Sequence, residues 1–144
     1  MKHFIRTTCV AMASMVIFAS CKKDDDKSRT ELLTQSNWKL VSDQEKAGSA
    51  PWEEYIDDYD PCELDNYFKF NTNGSVVLDE GPTKCDPTDP QTETGNWSFE
   101  SNESRLNLDG YVVDVEELNG STLTFTSTET FGGVTYIYKQ IYRH

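Results

Sequence analysis

The side chains of this 144-residue chain that would most readily carry chemistry are four cysteines, two histidines and 25 acids. His3 lies in the first twenty residues and His144 is the last, which leaves no serine or cysteine with a histidine partner of the usual kind. Two carboxylates could hydrolyse a glycosidic bond, but nothing in the spacing of the acids selects a pair. Asp57, Asp58, Asp60, Glu63, Asp65 and Asn66 crowd one stretch and offer hard oxygen ligands to Ca²⁺. Their order is not that of an EF-hand, Pro61 and Cys62 interrupt it, and a solvated acidic loop is the plainer account. No metal and no cofactor is assigned, and the chain is not expected to be an enzyme.

The first twenty residues have the layout of an export signal. Lys2 and Arg6 precede an apolar run from Cys9 to Phe18, and Ala19-Ser20 supply the small residues that a signal peptidase needs. The run is shorter than the ~20 residues that span a bilayer, so a retained membrane helix is the weaker reading. Phe18-Ala19-Ser20-Cys21 resembles the lipobox of bacterial lipoproteins, with Phe18 where Leu is usual. The resemblance implies cleavage before Cys21, lipid on its sulfur, and attachment of the chain to a membrane. Lys22 to Lys27 reads as a charged tether, and resembles the Lys-Asp-Asp surface-export signal of lipoproteins in one Gram-negative phylum. That places the protein in the outer membrane, exposed at the cell surface.

Loss of the leader removes Lys2 and Arg6, leaving 11 basic against 25 acidic residues and a formal charge of −14. Such a chain repels phosphate backbones, which argues against nucleic acid as a partner. With Cys9 in the leader and Cys21 lipidated, Cys62 and Cys85 remain in an oxidising compartment, and a disulfide between them is expected. The predicted organisation is a signal peptide over 1–20, a tether over 21–28 and one domain over 29–144.

The elements that must position these groups are almost all strands. Ser28-Arg29-Thr30-Glu31 reads as a capping box for a short helix from about Arg29 to Gln35. Alternating segments follow at Trp38–Ser42, Tyr67–Phe70, Ser75–Leu78, Gly95–Phe99, Arg105–Leu108, Tyr111–Val115, Thr122–Thr126 and Val134–Tyr142. Asn73-Gly74 and Asn119-Gly120 mark tight hairpins, and Pro82, Pro87 and Pro90 keep the 80–92 segment out of a central strand. Eight strands joined by short turns predict an all-β, antiparallel up-and-down barrel, which has no exposed edge. Trp52, Tyr55 and Tyr59 share one face of a helical turn predicted after Pro51; this face either packs on the barrel rim or forms an aromatic lid over its mouth.

The order of elements, with Ser36-Asn37-Trp38-Lys39-Leu40, Cys62 to Gly74, Lys84-Cys85 and Gly95-Asn96-Trp97, resembles the lipocalin-like domains of bacterial lipoproteins over about Leu32 to Arg143. Ser36 stands where lipocalins carry Gly, and their signature at the turn between the sixth and seventh strands is not visible in Glu117 to Gly120. The resemblance implies that Arg143 packs on Trp38 and seals the closed end of the barrel. It also implies that a monomeric barrel holds a small apolar molecule. The residues put forward for that ligand are Trp52, Tyr55, Tyr59, Phe70, Trp97, Tyr136 and Tyr138. A second reading is an envelope interaction module whose acidic, aromatic loops contact protein or glycan. An aromatic content of 12% tends to fill a lumen with rings, which lowers the expected cavity.

Overall fold

The computed structural model describes residues 27–144; the leader, Cys21 and the tether up to Asp26 lie outside them. Helix α1 (Arg29–Thr34) is followed by β1 (Asn37–Ala47), β2 (Glu53–Glu54), a 3₁₀ turn (Ile56–Asp58) and α2 (Pro61–Leu64). The remaining strands are β3 (Tyr67–Phe70), β4 (Ser75–Asp79), β5 (Thr92–Glu100), β6 (Arg105–Leu108), β7 (Tyr111–Leu118), β8 (Thr122–Phe131) and β9 (Val134–Arg143). Strands β1 and β3 to β9 pair with their neighbours in an antiparallel ring, and β9 returns to β1 to close it. This is the expected eight-stranded up-and-down barrel. The two residues of β2 only border the far end of β1.

Helix α1 starts where the capping box places it. Ser28 Oγ accepts from Glu31 N at 3.2 Å while Glu31 Oε2 accepts from Ser28 N at 2.8 Å, satisfying two of the free donors of the first turn. The helix buries Leu32 and Leu33 at one end of the barrel, and Leu33 O takes the indole N–H of Trp38 at 2.8 Å. This end is the closed one. Its core is Trp38, Phe70, Leu106 and Leu123 with Leu33, each burial worth roughly 1.5–3 kcal/mol. Phe70 and Trp97 meet edge to face at 5.8 Å, as do Trp97 and Phe99 at 5.5 Å.

Two expectations are corrected. Strand β1 does not stop at Ser42 but runs to Ala47, because β9 offers an unbroken partner from Arg143 back to Tyr136. Glu53 and Glu54 pair with Glu45 and Gln44, so the segment after Pro51 is extended rather than a helical turn. The β3–β4 hairpin turns on Asn73-Gly74 as expected, with Gly74 at φ +85° and Trp97 Nε1 donating to Asn71 O at 3.0 Å across it. The Cys62–Cys85 disulfide is formed and joins α2 to the 80–91 loop, so the two long connections at the open end are tied together.

Candidate functional site

The open half of the barrel owes its lining to one irregularity. Strand β1 slips register against β9 between Leu40 and Ser42, a bulge at Val41. Side chains alternate across a strand, so one extra residue reverses which face each later residue takes. Trp38 and Leu40 face inward before the bulge; Asp43 and Glu45 face inward after it. Across from them on β9 stand Gln140 and Tyr138, with Tyr136 opposite Ala47 nearer the rim.

A chain of hydrogen bonds crosses this half. Tyr142 Oη donates to Gln140 Oε1 at 3.0 Å, and Gln140 Nε2 donates to Asp43 Oδ2 at 3.3 Å. Tyr59, brought over the mouth by the segment before α2, donates its hydroxyl to the same Asp43 oxygen. Burial, then the Asp43 carboxylate, pushes the Tyr59 phenol up to about 12. Burial foremost also raises Tyr142 and Tyr138, the latter with help from Glu45. Tyr55 is raised first by its hydrogen bond to Glu53. All four phenols therefore stay protonated and able to donate near neutral pH.

Four adjoining spaces occupy this half. The deepest, about 220 Å³, has apolar walls from Trp38, Leu40, Phe68 and Leu78 and a roof that includes Tyr59 and Glu63. Gln140 divides it from a space of about 150 Å³ beside Tyr111, Phe125 and Ser127. Asp43 divides that in turn from one of about 190 Å³ toward the rim, bounded by Glu45, Tyr55 and Tyr138. Phe68 and Leu78 also border a fourth, about 280 Å³, with Glu93 and Asp109 on its far side. Each is small beside the ~300–1,000 Å³ of a typical ligand pocket, and together they form a branched recess.

The residues put forward from sequence fall in three places. Tyr55, Tyr59 and Tyr138 line the recess, and Tyr136 stands above it, lining none of the four spaces. Phe70 and Trp97 are core of the closed half. Trp52 lies on the outer wall, its ring between Lys46 Nζ at 4.6 Å and Lys139 Nζ at 4.7 Å. Asp43, Glu45 and Gln140 carry no such signal in the sequence, because nothing in Val41-Ser42-Asp43 announces a bulge.

The expected stacking of Arg143 on Trp38 is not formed. Arg143 pairs with Lys39, whose neighbours Trp38 and Leu40 face inward, so its side chain emerges on the outer face and is exposed. The ring that meets the Trp38 indole is that of His144, edge-on at 5.2 Å. In the acidic stretch from Asp57 to Asn66, Asp60 and Glu63 form a capping box on α2. Among the described residues no group of three or more His, Cys, Asp or Glu side chains is arranged to hold a metal ion.

A closed up-and-down barrel, plugged by a helix at one end and hollow at the other, is an architecture typical of binding domains. The lipocalin-like domain family matches residues 22–125 of the chain, most of its length, and the chain belongs to that family. The match ends within β8, and β9, which closes the ring, lies beyond it. No curated protein matches the sequence.

Proposed function

We propose that this protein is a lipid-anchored, non-catalytic binder that holds a small molecule in the open half of its barrel. The observation that carries the reading is the space of about 220 Å³ walled by Trp38, Leu40, Phe68 and Leu78 and roofed in part by Tyr59. Its apolar walls suit an apolar body, and the phenols and the Gln140 amide above it suit a polar end. Lipid on Cys21, cleavage before it and display from the outer membrane rest on Phe18 to Cys21 and the Lys-Asp-Asp tether. The non-catalytic reading is supported by the oxidised state of Cys62 and Cys85 and by His144, which packs on Trp38 at the closed end and lines none of the four spaces.

Native mass spectrometry of the protein released gently from its own envelope tests this. A reproducible bound mass that disappears in Leu40→Trp, which fills the deepest space, is the expected result. An empty barrel across repeated extractions would overturn it. The interaction-module reading is favoured by a different observation, Phe131, which stands 81% exposed at the β8–β9 turn. Cross-linking from position 131 to a single envelope component, with no bound small molecule, would establish that reading instead.

A further inference from the structure

We infer that the molecule held in the recess carries a positively charged group, seated between the Asp43 and Glu45 carboxylates and the tyrosines around them. The inference rests on the small-molecule reading above and names the chemistry of its ligand. The four adjoining spaces are lined by five carboxylates and no lysine, arginine or histidine. The basic residues nearest Glu45 are turned away: Lys46 follows it on the outer face, and Lys139, opposite Gln44, holds Trp52 and pairs with Glu116 at 3.2 Å. Asp43 is held by two neutral donors, Tyr59 and Gln140, which fix its oxygen without cancelling its charge.

Carboxylates inside a half-enclosed space act through less solvent than on a surface, so an entering cation gains more there than in water. Tyr55 and Tyr138 add ring faces, which attract cations and repel anions. An anionic amphiphile such as a fatty acid would meet the same field with the wrong sign. An apolar body in the deepest space and an ammonium toward Asp43 would use both parts of the recess.

The architecture supports a water-borne ligand. The chain enters the barrel through α1 at the closed end, so a lipid on Cys21 would hold that end toward the bilayer and turn the mouth to the solvent.

The test uses the full mature lipoprotein in phosphatidylcholine nanodiscs and three probes with one apolar body. These are phenethylamine as the cation, 2-phenylethanol as the neutral form and 3-phenylpropionate as the anion, each titrated by calorimetry. The cation should bind about tenfold or more tighter than the alcohol, with the anion weakest. Asp43→Asn and Glu45→Gln should each narrow the cation's advantage to within about threefold while the alcohol's affinity stays put. Glu93→Gln, further along the recess, supplies a second probe of the field if either variant fails to fold. Equal or tighter binding of the alcohol or the acid to the unaltered protein overturns the inference and leaves small-molecule binding standing. Absence of binding by all three overturns the inference, and the carrier reading falls with it only if native mass spectrometry also finds the barrel empty.

Discussion

The two halves of the barrel are made from the same strands and do opposite things with them. In the closed half Trp38, Phe70, Leu106 and Leu123 are fully buried, and the polar atoms among them are spent on the backbone, as Trp38 Nε1 is on Leu33 O. In the open half Asp43, Tyr59, Gln140 and Tyr142 bond to one another around unfilled space. The change comes at the Val41 bulge, where strand β1 continues but its alternation restarts. A barrel can thus separate stability from binding along a single strand, and the two halves should respond differently to equivalent changes.

The largest contrast is between Trp38→Ala and Tyr138→Ala. Removing the Trp38 indole empties the closed core and should cost about 3–5 kcal/mol in denaturant unfolding. Tyr138 faces space that is already open, so its loss should cost no more than about 1 kcal/mol. Similar losses would mean that the open half is core as well and that the recess is not spare volume.

Next in size is the Cys62–Cys85 disulfide, which ties the two long connections of the open end. Replacing both cysteines with serine should lower stability by about 3 kcal/mol. Hydrogen exchange should then quicken in the 55–66 segment and the 80–91 loop, and change little in α1 or the closed half of β1. Uniform quickening would show that the staple serves the whole barrel. In the unaltered protein, alkylation without reductant should leave both cysteines unmodified.

The hydrogen bond of Tyr59 to Asp43 gives a smaller effect with a pH signature. Tyr59→Phe should cost about 1 kcal/mol at neutral pH. The folded phenol is raised to about 12 from its ordinary 10.0, so its stabilising contribution is complete below pH 10 and is lost as pH climbs toward 12. Stability of the unaltered protein should therefore fall across that window, and the fall should be shallower in Tyr59→Phe. An unchanged alkaline slope in the variant would assign the fall to the other raised phenols, Tyr55, Tyr67, Tyr138 and Tyr142.

The closed half was the legible one. Its strands announce themselves through alternation, as in Trp97-Ser98-Phe99, and through hairpin residues such as Asn73-Gly74, because apolar period and turn chemistry are local signals. The open half resists the same reading for local reasons too. Asp43-Gln44-Glu45-Lys46 has poor strand propensity and is extended only because β9 lies beside it. Trp52, Tyr55 and Tyr59 carry a helical spacing, yet the pairing of Glu53 and Glu54 with β1 puts Trp52 outside and Tyr55 inside. Spacing alone could not separate them, since tertiary pairing decided the period.

The same parity governs the smallest effect, at the end of the chain. Arg143 and His144 are adjacent, so β alternation puts them on opposite faces, and the register of Arg143 with Lys39 decides which goes outward. Arg143→Ala should therefore stay within about 0.5 kcal/mol of the unaltered protein, as surface changes do. His144→Ala removes the ring that meets Trp38 edge-on and a contact to Gly120 O, and should cost about 0.5–1.5 kcal/mol. If Arg143→Ala proved the costlier of the two, the last strand would be shifted by one residue. That shift would also turn Gln140 and Tyr138 out of the recess, so this small difference checks the register on which the whole site depends.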